Sequence, residues 1–369
     1  MKALVVGGGV AGPATAMALQ RVGIGATVLE AHPDSRGDVG SYFTVSPNGL
    51  HALDVLGCLD LAKGEGFSTR RNIMVGASGR ELGTQSLGRP LADGTVAITL
   101  KRPRMAAILS TEARHRGIEV RGGTRVVSVA SAADQASVTL DDGTVLHADL
   151  VVGADGVHSL VRRAIDPSAP APRYVGLTNF GGITRGSALV AQLPTEAWHF
   201  VFGRHAFFGA HATPAGDVVW FVNEPRVKIS LEERTTRSDE QWRRHLAGLA
   251  QDDVGPFQEL ITDGELELSG DNTYDLGHVP NWHRGRLVIL GDAAHAPAPS
   301  SGQGASMALE DAVVLAASLQ GATSVPSALA AFESTRRARV ERIVAVGARS
   351  SSSKTAGPVG RVFQDAALR

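Results

Sequence analysis

Three stretches of this 369-residue sequence combine glycine with an acidic residue in patterns that could do chemistry. The first is Gly7-Gly8-Gly9-Val10-Ala11-Gly12, a GxGxxG spacing that follows an apolar run and precedes a helical pattern. Glu30 lies 30 − 7 = 23 positions beyond Gly7. Glycines at these positions permit a tight turn and the close approach of a pyrophosphate. The free N–H groups and dipole of the following helix attract phosphate, and a carboxylate ending the second strand can accept both ribose hydroxyls. A hydrogen bond to such a charged group is worth roughly 1.5–3 kcal/mol. Glu30 also disfavours a 2′-phosphate by repulsion. Taken alone the motif is a weak signal; between a strand and a helix, with Glu30 beyond, an ordinary glycine-rich turn is the minor reading, and the motif does not distinguish NAD from FAD.

The second stretch is VVGADGVHSLVR, residues 151–162, which sets Asp155-Gly156 after a buried strand. The third is LVILGDAAHAPAPSSGQG, which sets Gly291-Asp292 after another and continues through Pro299 to Gly302-Gln303-Gly304-Ala305. Backbone N–H groups of Gly302, Gln303, Gly304 and Ala305, ahead of a helix, suit the anionic edge of a ligand, where donors stabilise developing charge. Without the other motifs, Pro-Ser-Ser-Gly would read as a surface loop.

The elements that must position these residues follow from periodicity. Lys2 to Val6 reads as a buried strand, VAGPATAMALQRVG as a helix ending at Gly23, and GATVLE as a second strand, together a βαβ unit. Residues 36–57 read as a glycine-containing loop, a short strand and a helix with Ser46 and Asn48 as candidate caps. Residues 70–100 read as short strands, and Pro103 to Arg116 as a helix. Residues 118–152 alternate as strands, with Asp142-Gly143 marking a hairpin. PSAPAP at 167–172 breaks the composition. An aromatic, strand-rich block follows, then the charged helix LEERTTRSDEQWRRHLAGLA, then RLVILGD and a mostly helical stretch over 303–350.

Composition bounds the function. Net charge is −1, without the basic excess of a nucleic-acid binder. Hydrophobic residues make up 43%, enough for a large core, yet no apolar run approaches a membrane span. The single cysteine, Cys58, lies in apolar DVLGCLDL. It excludes an internal disulfide and reads as a buried inert thiol. No signal peptide is evident at MKALVVGGG, so cytoplasmic residence is expected.

The three motifs, in this order, resemble the group A flavoprotein monooxygenases, the para-hydroxybenzoate hydroxylase-like family, over nearly the whole chain. The resemblance implies an α/β fold: an FAD-binding Rossmann-like (GR2-type) domain with an inserted β-sheet-rich substrate domain and C-terminal helices. The FAD-binding domain would comprise residues 1–70, 98–166 and 276–350. The substrate-binding domain would comprise 71–97 and 167–275, and residues 351–369 a C-terminal tail. By the same resemblance Gly7, Gly9, Val10, Ala11, Gly12 and Glu30 hold the ADP part of FAD. Asp292 binds the ribityl chain, and Asp155-Gly156 lie near the pyrophosphate and serve both FAD and NAD(P)H. In LKRPRMAAIL, Arg102 matches the family arginine that contacts the ribityl–phosphate region, with Met105 in place of leucine. Val126 is a further cofactor-binding position. Pro299, Gly302, Gln303 and Gly304 shape the flavin and oxygen site, with Gly304 and Ala305 against the ring. The sequence departs from the family near residue 40: the spacing from Arg36 to the glycines is off by about one, and Tyr42 replaces a small residue. Some larger family members continue into a thioredoxin-like domain, which is not expected here.

The implied activity is FAD-dependent and NAD(P)H-consuming. One oxygen atom from O2 would enter an aromatic or polyketide-like small molecule through a flavin hydroperoxide. No single acid–base residue is nominated as catalytic. An FAD-dependent oxidase or dehydrogenase that does not use NAD(P)H is the alternative; a non-catalytic flavin carrier is a third. Tyr42 either lines the flavin pocket or packs. Phe200, Phe207 and Trp220 either line the substrate cavity or fill a core, since half of an alternating strand set must do so. His199, His205 and His211 lack metal-ligand spacing and read as surface or packing residues. No metal is expected. His295 reads as a local structural group, His158 remains open, and STRRARVERI reads as a solvated face.

Overall fold

The protein is described by a computed structural model covering residues 1–33, 40–297 and 302–354. A six-stranded sheet runs in the order His283–Arg284, Leu287–Ile289, Leu150–Gly153, Lys2–Val6, Gly25–Leu29, Glu119–Arg121. All neighbours are parallel except the first pair; Leu4 lies opposite Val151 on one side and Thr27 on the other. The central strands are continuous apolar runs because both faces of a parallel sheet are covered. The helix Ala11–Arg21 packs on this sheet and against Gly304–Leu319. Parallel pairing has a direct consequence: Gly7, Glu30, Ala154-Asp155 and Leu290-Gly291 all emerge at the same, C-terminal edge, where open α/β sheets bind their ligands.

Two small sheets extend this unit. Val126–Ser131, Ala136–Leu140 and Val145–Ala148 form an antiparallel arm, closed by the turn at Gly143 with φ +85°. Tyr42–Val45, Ile98–Lys101 and Phe67–Ser68 form the other. A seven-stranded sheet lies beyond, in the order Glu265–Asp275, Arg173–Thr184, Val218–Pro225, Phe207–Ala212, Ala197–Phe202, Arg71–Gly76, Glu81–Ser86. Strand alternation gives it two faces. One buries Phe180, Phe208, Trp220 and Val222 against Trp242, Leu246, Leu260 and Ile261 of the helices Asp239–Ala250 and Phe257–Asp263. The other packs Ile183, Trp198 and Val219 against Tyr42, Phe67, Phe200 and Phe221.

Three local expectations shift. The charged helix expected as one piece is two, Leu231–Thr236 and Asp239–Ala250. Ser238 interrupts it with a capping box, accepting from the Gln241 amide while the Gln241 side chain accepts from the Ser238 amide. The helix expected from Pro103 opens one residue earlier, at Arg102, with proline in its first turn. The helix Val325–Lys354 runs past residue 350, into the stretch read as a tail. Among the described residues no helix is long and apolar enough to cross a membrane.

Candidate active site

The glycines of the first motif do different jobs. Gly7 adopts φ +110°, and a Cβ there would lie 2.3 Å from the Ala154 carbonyl oxygen. A Cβ on Gly12 would lie 1.8 Å from the Gly7 carbonyl oxygen. Both positions are emptied by the chain itself. Gly9 is the opposite case: nothing lies within 4 Å of its Cβ position. Its missing side chain leaves a concavity open at the head of the helix Ala11–Arg21, whose N-cap, Val10, supplies no side-chain acceptor to the first-turn amides. That is the shape and polarity a pyrophosphate needs. Glu30 accepts from the Gly8 amide at 2.6 Å, and from the His32 amide and ring at 2.8 and 2.9 Å. Burial pushes its carboxyl up, but these donors outweigh it and hold Glu30 below the usual range, so it is ionised beside the concavity. Val126 opens the neighbouring arm, two residues after Thr124, whose amide donates to the Glu30 carbonyl.

Asp155 is turned into the protein. It accepts from Ser159 Oγ at 2.5 Å and from the Leu160 and Val161 amides, at the start of the helix Leu160–Ile165. Burial raises its pKa against these bonds. Gly156, at φ +74°, makes the turn. Arg162, which the motif reading passed over, is fully buried and donates to the carbonyls of Val157 and Ala293. It ties the segment after Asp155 to the turn after Asp292. The sequence signal was an arginine directly after the apolar pair Leu160-Val161 that closes the motif.

The third motif closes the cleft. Gly291 sits at φ +57° with Ala308 and Ala11 against it, so this turn meets the N-terminal ends of the helices Ala11–Arg21 and Gly304–Leu319. Asp292 Oδ1 lies 3.5 Å from where a Gly304 Cβ would be, at the N-terminus of Gly304–Leu319, and Oδ2 lies 3.7 Å from Arg102 Nη2. Gly302 holds φ +60° with open space before it. Gln303 donates to Ser46 Oγ, which draws the helix Pro47–Val55 onto this end; Ala305 follows in the first turn. Pro299 and Arg36 lie outside the described residues. Behind the turn, Asp311 accepts from the Gly291 amide, His295 Nε2 and Arg336 Nε at 2.9, 2.5 and 2.6 Å. Burial pushes the Asp311 carboxyl up, yet His295 and Arg336 prevail and hold it low. His295 is thus the expected structural group. Arg336, in the stretch read as solvated, is only 4% exposed and anchors this network.

Across from the cleft is a narrow cavity of about 10 Å³, bordered by Gly40, Tyr42, Gly181, Trp198, Trp220, Phe221 and Glu267. Phe200 and Phe207 stand on the same sheet face, their rings 5.4 Å apart and each within 5.9 Å of Phe221. Trp220 borders the cavity as well, while its ring packs into the helix-covered core, its Nε1 donating to Thr184. Trp198 and Phe221 are the cavity aromatics that sequence reasoning did not select, because alternation shows that two faces exist but not which one faces the cleft. A buried chain of hydroxyls joins the two units. Trp198 Nε1 donates to Thr44, whose hydroxyl meets Thr99, then Thr69, then His211 Nε2, at 2.9, 2.7, 2.7 and 3.0 Å. His211 Nδ1 lies 2.8 Å from the Ala212 carbonyl, which can only accept, so Nε2 is the unprotonated nitrogen. Burial pulls the His211 pKa down to about 4. Among the described residues no group of three or more His, Cys, Asp or Glu could hold a metal ion.

The open cradle at Gly9, ionised Glu30, and Arg102 with Asp292 at a helix N-terminus fit the phosphates, ribose and ribityl hydroxyls of FAD in order along one edge. The comparisons agree. A family model described as "FAD binding domain" matches residues 1–346. The chain is 30% identical to the FAD-dependent urate hydroxylase of Klebsiella pneumoniae over 357 residues, covering 93% of this chain and 88% of that one. It is 31% identical to the 2-heptyl-3-hydroxy-4(1H)-quinolone synthase of Mycobacteroides abscessus, covering 92% and 86%. The crystal structure of Klebsiella pneumoniae HpxO complexed with FAD and uric acid superposes with a TM-score of 0.85 at 26% identity, covering all of this chain and 92% of that one.

Proposed function

We propose, from the premise that the chain belongs to the FAD-binding domain family and is an FAD-dependent monooxygenase of the para-hydroxybenzoate hydroxylase type, that it hydroxylates a small, flat aromatic or polyketide-like molecule at the expense of NAD(P)H. The observation that carries this reading is the meeting of Arg102 and Asp292 at the end of the cleft that starts at Gly9 and Glu30. FAD, when bound, supplies the redox chemistry: two electrons come from NAD(P)H, one oxygen atom of O2 enters the substrate, and the other leaves as water.

The chain's own residues bind, orient and exclude water. Gly7, Gly9, Gly12 and the amides after Val10 take the pyrophosphate, and Glu30 takes the ribose. Arg102 and Asp292 take the ribityl–phosphate region, with Asp155 and Arg162 holding the strand ends in place. Gly302, Gly304 and Ala305 border the ring. The aromatic face of the seven-stranded sheet covers the reacting end and keeps it dry. Relatives named for urate and for a heptyl-quinolone favour a heteroaromatic substrate. With Cys58 buried and free, and Glu30 at the ribose, a cytoplasmic enzyme fits.

The test is direct. The purified protein should release FAD on denaturation, and NAD(P)H oxidation in air should accelerate when the right heteroaromatic is added. Anaerobic reduction of the bound flavin by such a compound alone, without NAD(P)H, would assign the chain to the oxidases instead.

A further inference from the structure

The cavity between the cleft and the seven-stranded sheet contains a charged group that the binding of FAD does not use. Glu267 lies on the strand Glu265–Asp275, where bulges against Arg173–Thr184 break the register on both sides of Gly181. Its Oε1 accepts from Lys101 Nζ at 2.6 Å, and the two side chains are only 14% and 15% exposed. Glu267 Oε2 is buried and has no hydrogen-bond partner. A buried carboxylate oxygen without a donor is costly to a fold, so this atom is met by a donor from water or from a ligand.

The surroundings limit which ligand fits. Tyr42, Trp198 and Phe221 make aromatic walls, and Gly181 leaves its side open, with only Leu268 and a Trp220 carbonyl in ordinary contact with a Cβ there. Lys101 also sits 5.6 Å over the Tyr42 ring, which fixes the pair against the wall. The chain links the place to the cofactor cleft: the Arg102 amide donates to the Ser41 carbonyl, beside Tyr42, and the Arg102 guanidinium reaches Asp292.

We propose that Glu267, oriented by Lys101, is the specificity-determining residue that receives an O–H or ring N–H donor of the substrate. On the reading of function given above, the substrate is a flat aromatic or heteroaromatic that presents a hydrogen-bond donor. It is not an aryl carboxylate, which would set two anions together. A site built around a buried acceptor rejects an analogue lacking the donor far more strongly than an apolar pocket rejects an added methylene.

The experiment uses the FAD-loaded protein and matched probes: 4-quinolone with N-methyl-4-quinolone, indole with 1-methylindole, and 2-naphthol with 2-methoxynaphthalene, plus benzoate. Binding is read as perturbation of the flavin absorbance, with substrate-free NADPH oxidation and FAD content as controls. At least one donor probe should bind tenfold or more tightly than its methylated twin, and benzoate weakly. Glu267→Gln should reduce that ratio. The double change Lys101→Met with Glu267→Leu, which leaves no orphaned charge, should bring it below about threefold with FAD retained. The proposal is overturned if no donor probe outcompetes its twin in the wild type. Undiminished discrimination in the variants, or benzoate binding as well as the donors, overturns it too. Absence of FAD from the wild type, or of any oxidation of either NADH or NADPH, would instead refute the reading of function.

Discussion

Arg102 Nη2 stands 3.7 Å from Asp292 Oδ2, although most of the chain lies between them, and both side chains face solvent, 67% and 34% exposed. An exposed pair at this distance contributes about 0–1 kcal/mol to stability. Its placement, beside the first turn of Gly304–Leu319 and the head of Ala11–Arg21, therefore answers to a ligand more than to the fold. Asp292→Ala should weaken FAD binding at least tenfold while moving the urea midpoint of the FAD-free protein little. Equal loss of stability and of FAD would show the carboxylate to be structural.

Gly9 and Gly12 should separate in their effects. Gly9→Ala adds a methyl to open space and should leave the FAD-free protein folded but poor in FAD. Gly12→Ala drives a methyl into the Gly7 carbonyl and should destabilise the fold by about 1–3 kcal/mol or more before any cofactor is considered. Urea melts and FAD content, measured together, check the contrast.

The Asp311 carboxylate holds the Gly291 amide, His295 and Arg336 in one buried cluster. Asp311→Ala would leave Arg336 buried with Glu310 as its remaining acidic partner, a loss of about 3–5 kcal/mol. Because the same carboxylate sets the Gly291 turn, FAD content should fall with stability. An unchanged unfolding midpoint would contradict the assignment.

His211 makes stability depend on pH. Its folded pKa is pulled down by burial to about 4, below the ordinary value of 6.5, so between those values only the unfolded chain takes the proton. Its contribution is present above pH 6.5 and is lost as pH falls toward 4, about 3 kcal/mol over the window. The hydroxyl chain sharpens this, since Thr69 can donate to Nε2 only while that nitrogen is unprotonated. His211→Leu should flatten the acid limb of a stability–pH profile. Thr99→Val, which removes one partner from each of the Thr44 and Thr69 hydroxyls, should cost about 1–3 kcal/mol at pH 7 without that flattening.

The sequence by itself determined which chemistry the chain can support. GxGxxG with Glu30, Asp155-Gly156 and Gly291-Asp292 each follow an apolar run, and parallel pairing of three such runs must bring their ends to one edge. These signals are local: a glycine that makes a turn, or a run that can only be a strand, is legible from a few neighbours. Only the tertiary structure decided the rest. It turned Trp198 and Phe221 to the cavity and set Trp220 between the cavity and the helix-covered core, because alternation fixes that faces differ but packing chooses between them. It buried Arg336, set Arg162 across two motifs, and used bulges to bring Glu267 against Lys101. Each of those depends on a partner more than a score of residues away, and no pattern within either segment encodes the meeting.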